Sequence, residues 1–124
     1  MVVLNTLLKD KNILIMGVAN KWSIAWGIAQ SCLNAGARII LTYQGDKARA
    51  NIEKLIKDYS DEILMYPCDV TKDEDISSLF NNISKDVGIL HGVVHSIAFA
   101  KKEELEGAYY NTSREGYLLA QNIS

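Results

Sequence analysis

From Met16 to Gly27 the chain reads Met-Gly-Val-Ala-Asn-Lys-Trp-Ser-Ile-Ala-Trp-Gly. It is preceded by a short apolar run, Asn12 to Met16, and its second half opens a helical stretch, Ser23 to Asn34, that meets a natural stop at Gly36. A buried strand therefore runs through a small-residue loop into a helix. In such a turn Gly17 permits close backbone approach, and the helix N-terminus offers unpaired N–H groups and a partial positive charge to a phosphate or pyrophosphate. The spacing is neither Gly-x-Gly-x-x-Gly nor the phosphate loop ending in Gly-Lys-Ser/Thr, so the segment alone leaves a plain strand-to-helix turn open.

Outward from this loop the same alternation repeats. Arg38 to Tyr43, Glu62 to Tyr66 and Ile89 to Ser96 are apolar runs rich in Ile, Leu and Val, the pattern of strands buried on both faces. Between them, Asp46 to Asp58 places Ile52, Leu55, Ile56 and Tyr59 on one helical face. Thr71 and Glu74 form a capping box ahead of the stripe Ile76, Leu79, Phe80 and Ile83, and Thr112 with Glu115 repeats the box before a last helix starting near Ser113. Strand and helix alternating in this way predict an α/β fold, a Rossmann-like doubly wound parallel sheet with right-handed crossovers. The sequence stops while Leu118, Leu119 and Ile123 still mark an apolar face, so the sheet is expected to be truncated after about four strands, with residues 1–124 forming the N-terminal part of a single nucleotide-binding domain.

The composition excludes several classes of function. The 124 residues carry 13 basic and 15 acidic side chains, a formal charge of -2, which gives no general attraction to nucleic acid or to an anionic membrane. The longest uncharged stretch, Trp22 to Ala37, falls short of the roughly 20 apolar residues that a bilayer span requires. The N-terminus lacks the basic flank, apolar run and cleavage site of a secretory signal, so a cytoplasmic location is expected. Cys32 and Cys68 belong to no paired motif and read as buried thiols. His91 and His95, four residues apart on one strand, lie about 13 Å from each other, too far to share one metal ion, and read as structural or cofactor-adjacent. No metal site is expected. Trp22 and Trp26, at i and i+4, read as a packing pair.

The wording from Met16 to Ala29, Met-Gly-Val-Ala-Asn-Lys-x-Ser-Ile-Ala-x-Gly-Ile-Ala, strongly resembles the NADH-dependent enoyl-acyl-carrier-protein reductases of bacterial type II fatty-acid synthesis, a divergent branch of the short-chain dehydrogenases. The resemblance continues in register through Thr42-Tyr43-Gln44-Gly45-Asp46-Lys47, Pro67-Cys68-Asp69-Val70, His95-Ser96-Ile97-Ala98-Phe99-Ala100 and Thr112-Ser113-Arg114-Glu115-Gly116. It implies cofactor contacts at Gly17, Ser23 and Ile24 on the pyrophosphate loop, Gln44 beside the adenosine ribose, Asp69 and Val70 at the adenine, and Ser96 and Ile97 toward the nicotinamide, with Ala100 bordering the acyl pocket. Gln44 stands where many NAD-binding folds carry an acidic residue, and no Arg occupies Gln44 or Gly45, although Lys47 and Arg49 lie nearby. NADH is therefore the implied cofactor and NADPH the less favoured one. The implied substrate is an enoyl thioester on acyl carrier protein, and the implied assembly of the full-length enzyme is a homotetramer.

Catalysis in that family rests on a Tyr followed seven positions later by a Lys. None of the six tyrosines here has such a partner. Tyr43 and Lys47 match the shorter spacing of ordinary short-chain dehydrogenases, but they sit at the end of the second strand, on the adenosine side. No catalytic residue is assigned within these 124 residues. The reading that follows is the cofactor-binding half of such a reductase, with a non-enzymatic dinucleotide-binding module or an inactive fragment as the alternative.

Overall fold

The computed structural model describes residues 6–59, 63–97 and 113–123. Four strands, β1 (Asn12–Met16), β2 (Arg38–Tyr43), β3 (Leu64–Pro67) and β4 (Gly92–His95), alternate with four helices, α1 (Ile24–Asn34), α2 (Asp46–Ile56), α3 (Asp73–Asp86) and α4 (Arg114–Ile123). The strands form one sheet in the order β3-β2-β1-β4, and every pairing is parallel. The chain winds from β1 to one edge and then returns to place β4 on the other side of β1, which is the expected doubly wound, Rossmann-like arrangement. That reversal opens a crevice at the carboxyl ends of β1 and β4, where such sheets bind ligands.

Side-chain alternation along the central strands decides which helix covers which face. Ile13, Ile15, Ile39 and Leu41 point to one side, against Ala25, Trp26, Ala29 and Leu33 of α1 and Ile52 of α2. Leu14, Met16 and Ile40 point to the other, against Leu79 and Ile83 of α3 and Cys68. Leu14, Ile15, Ile39, Ile40 and Leu41 have no measurable exposure, and burying each such side chain contributes about 1.5–3 kcal/mol. Ile52, Leu55 and Ile56 of α2 pack as expected on the first cluster, and Tyr59 joins them from beyond the helix, which ends at Ile56 and not at Asp58. Tyr59 meets Trp26 edge to face at 5.7 Å between centroids and accepts a hydrogen bond from Gln30 at 3.1 Å. Gly36, at φ 90°, ends α1 in the left-handed conformation that its lack of Cβ permits.

Several expectations are corrected. β4 is shorter than Ile89 to Ser96 because its lead-in turns to Asn12. The Asn12 amide donates to His91 Nδ1 at 2.9 Å, its side chain donates to the Ile89 carbonyl at 2.8 Å, and the His91 amide donates to the Asn12 carbonyl at 2.8 Å. His91 is thus a structural histidine, as expected. β4 is also an edge among the described strands, with Val93 52% exposed, rather than a strand covered on both faces. β3 begins at Leu64, Glu62 lies outside the described residues, and Pro67, which has no N–H to give, ends this opposite edge strand.

The Thr71 and Glu74 box does not form. Lys72 occupies the N-cap without a side-chain bond, because Asp69 captures Thr71 and Asp75 captures the Asp69 amide. At the last helix, Ser113 takes the cap by accepting the Gly116 N–H at 2.9 Å, and Thr112 lies outside the described residues. The two tryptophans do not pack together: Trp26 is buried, whereas Trp22 is 80% exposed beneath the Lys21 ammonium, 4.8 Å from its ring. Cys68 is buried, but Cys32 is only partly so.

Candidate functional site

A cleft of about 420 Å³ lies across the carboxyl ends of the strands. Gly17, Val18 and Ala19 enter it from the β1–α1 loop, and Thr42, Tyr43 and Gln44 from the end of β2. Cys68, Asp69, Val70 and Thr71 follow β3, Ile97 follows β4, and Ala48 of α2 with Leu119 and Ile123 of α4 complete the walls. Of the expected contacts, Gly17, Gln44, Asp69, Val70 and Ile97 are brought together here. Ser23, Ile24 and Ser96 do not line the cleft with their side chains, and Ala100 lies outside the described residues.

Gly17 has a physical reason to be glycine. Its φ is +115°, and a Cβ there would lie 2.0 Å from the Ser96 carbonyl oxygen. The Ser96 amide donates to the Met16 carbonyl at 2.9 Å, which draws the end of β4 under the loop. Ser96 therefore acts through its backbone, as the floor beneath Gly17.

The loop after Gly17 is internally braced. Ser23 Oγ accepts the amides of Ala19 at 3.0 Å and Asn20 at 3.1 Å, and Asn20 Oδ1 accepts the Trp22 amide at 2.8 Å. Ser23 thus shapes the loop with its lone pairs, and its hydroxyl hydrogen is left to donate. The amides of Ile24 and Ala25, the first two of α1, have no partner among the described residues. The Ile24 side chain, 78% exposed, points away into a shallow apolar groove with Leu8 and Ile28, so what this position offers a ligand is its N–H. Among the described helices α1 alone has no acidic side chain in its first turn; α2 begins with Asp46, α3 with Asp73, Glu74 and Asp75, and α4 carries Glu115. The N-terminus of α1 is therefore the one whose positive end is not already neutralised.

At the far end of the cleft, Asp69 Oδ1 accepts both the Thr71 hydroxyl at 2.6 Å and the Thr71 amide at 3.0 Å, while Asp75 Oδ2 accepts the Asp69 amide at 2.9 Å. The Thr71 bonds hold the Asp69 carboxyl below its usual range. A carboxylate oxygen, Oδ2, and the Val70 amide have no partner among the described residues, giving one acceptor and one donor side by side. Cys68 forms part of the same wall; burial pushes its thiol up, and the charges of Asp75 and Asp69 add to this. No group of His, Cys, Asp and Glu among the described residues could hold a metal ion, and no helix there is long and apolar enough to cross a membrane.

Sequence reading misses Thr42, Tyr43, Ala48, Cys68, Thr71, Leu119 and Ile123 as cleft residues. For most the signal was position, since each adjoins a strand end or follows an identified residue. Leu119 and Ile123 were visible as an apolar i, i+4 pair, but the sequence did not say what they face; Leu118, counted on the same face, is 57% exposed.

The family model described as "Enoyl-(Acyl carrier protein) reductase" matches residues 17–124. The chain is 52% identical over 123 residues to the enoyl-[acyl-carrier-protein] reductase [NADH] FabI of Bacillus subtilis, covering 98% of this chain and 47% of that protein. It superposes with a TM-score of 0.90 on the Bacillus cereus enoyl-acyl carrier protein reductase crystallised with NADP+ and indole naphthyridinone, at 50% identity over 94% of this chain and 46% of that one. The Anaplasma phagocytophilum reductase crystallised with NAD gives the same TM-score at 35% identity, over 96% of this chain and 45% of that one. The chain thus spans about half the length of the relatives it matches. A family model matched over residues 17–124 and a relative 52% identical over 98% of this chain show that the chain belongs to the enoyl-(acyl carrier protein) reductase family.

Proposed function

We propose that residues 1–124 are the N-terminal, cofactor-binding part of a single Rossmann domain in an enoyl-acyl-carrier-protein reductase that uses NADH, NADPH being the less favoured cofactor. The observation that carries this reading is the convergence of four strand ends on one cleft, lined both by the Gly17–Ala19 loop, which Ser23 ties to the acid-free N-terminus of α1, and by the Asp69–Val70 acceptor and donor pair. The residues present fit a dinucleotide. Gly17 keeps the approach to the loop clear, the Ile24 and Ala25 amides and the Ser23 hydroxyl donate to phosphate oxygens, and the Gln44 amide bonds ribose hydroxyls without bringing a charge. Asp69 Oδ2 accepts from the adenine amino group, the Val70 N–H donates to a ring nitrogen, and Leu119 and Ile123 exclude water from that end. Ser96 and Ile97 border the nicotinamide, and Ala100 borders the acyl pocket.

The bound cofactor supplies hydride for reduction of the trans-2 double bond of an enoyl thioester carried on acyl carrier protein. The Tyr and Lys that would complete the chemistry are assigned to residues outside these 124. The full-length enzyme on this reading is a cytoplasmic homotetramer of fatty-acid synthesis. Titration of the protein with NADH, followed by nicotinamide fluorescence, tests the cofactor assignment; saturable binding is expected, and no binding at millimolar NADH would defeat it. The enzymatic assignment is tested on the uninterrupted gene product, which is expected to contain a Tyr with a Lys seven positions on and to oxidise NADH when given an enoyl thioester.

A further inference from the structure

The adenosine end of the cleft has a cationic side that the binding scheme above does not use. Arg49 lies on α2 directly after Ala48, which lines the cleft, and its guanidinium carbon sits 5.7 Å from the ring centroid of Tyr43, which also lines it. Arg49 Nε donates to Glu53 Oε1 at 3.0 Å, so the head group is turned along the helix and held over Tyr43. Beside it, a Cβ on Gly45 would meet nothing within 4 Å, which leaves open space between Gln44 and the first turn of α2. The other charges on this turn are Asp46, at its start, and Lys47, an exposed cation with no partner among the described residues.

We propose that Glu53 is a specificity-determining positioning residue: by engaging Arg49 it competes with the 2′-phosphate of an adenine nucleotide for that guanidinium, and so trims the gain in affinity that Arg49 gives a 2′-phosphate, shifting the site about twofold toward a nucleotide with a free 2′-hydroxyl. The proposal rests on the nucleotide reading of the cleft. The competition is unequal. Both partners are more than half exposed, and the Arg precedes the Glu, the less favourable order along a helix. An exposed pair of this kind shifts an equilibrium by only about twofold, whereas a charge-assisted guanidinium–phosphate bond changes affinity by roughly tenfold or more. A 2′-phosphate therefore draws Arg49 away from Glu53, and the ion pair lowers its affinity without abolishing it. Gln44, uncharged, neither repels nor attracts the phosphate.

The test compares 5′-AMP with adenosine 2′,5′-bisphosphate, which differ only in the 2′-phosphate, by calorimetry on the protein and on variants at exposed positions whose folding is checked by thermal melting. Glu53→Gln is expected to raise affinity for the bisphosphate about two- to threefold and to leave AMP unchanged. Arg49→Gln is expected to lower bisphosphate affinity about tenfold, again without effect on AMP, and the gain from Glu53→Gln is expected to vanish in the double variant. If AMP binds but Glu53→Gln leaves the ratio of the two affinities unchanged, the proposal is overturned while the cofactor site stands. The same holds if Lys47→Gln, and not Arg49→Gln, removes the response to the 2′-phosphate. If AMP itself fails to bind, the cofactor reading falls and this inference falls with it.

Discussion

At Gly17 a single hydrogen atom decides whether two strands can converge. A Cβ there would collide with a backbone oxygen, which cannot rotate away as a side chain could, and a residue bearing one would be strained at the φ of +115° that the loop adopts. Gly17→Ala is expected to destabilise the fold by about 3 kcal/mol or more, the sum of backbone strain and overpacking, read as a lower urea midpoint. Asp69 has a different signature. Its carboxyl is held below the usual range by the two Thr71 bonds, so its contribution is complete above the ordinary carboxylate pKa of about 4 and disappears as pH falls through its lowered folded-state value. The stability gap between the protein and Asp69→Asn is therefore expected to be constant at neutral pH and to close on acidification, in melts recorded across the acid range. A gap independent of pH would contradict this. At this scale the sequence names residues and the structure shows which of their atoms are free: Ile24 turns its side chain away and leaves its N–H, and Ser23, expected as a donor, shapes the loop with its lone pairs.

At the scale of elements, α3 shows how burial divides an amphipathic stripe. Leu79 and Ile83 are 1% and 2% exposed, whereas Phe80, which has the same periodicity in the sequence, is 43% exposed. Leu79→Ala is expected to cost about 2–5 kcal/mol and Phe80→Ala less than about 1 kcal/mol, both measured by denaturant unfolding. β1 and β2 were legible to the residue, because strands buried on both faces write continuous apolar runs bounded by polar residues. The ends of α3, α4 and β4 were less legible, since each is set by a side chain competing for a backbone group. Asp69 binds the Thr71 hydroxyl and amide and leaves the N-cap of α3 to Lys72, Ser113 caps α4 at the Gly116 N–H, and Asn12 diverts the entry to β4.

For the whole molecule, the alternation of elements and the handedness of crossovers led to the doubly wound parallel sheet, while the strand order β3-β2-β1-β4 is seen only in the structure. What the pattern could not convey was the return of α4 across the cleft, because the periodicity of Leu119 and Ile123 defines a face and not its neighbour. The register has a kinetic meaning as well. β1 and β2 join segments close in sequence, but β1 and β4 join Ile13 to Gly92, and closing that long loop is the slowest entropic step. Since the floor under Gly17 is the Ser96 carbonyl, the part of the cleft lined by Gly17, Val18 and Ala19 exists only after this pairing is made. Nucleotide interactions are then absent from the folding transition state, and in stopped-flow experiments saturating AMP is expected to slow unfolding while leaving the refolding rate unchanged. On that outcome a bound nucleotide would be a brake on opening and not a template for assembly.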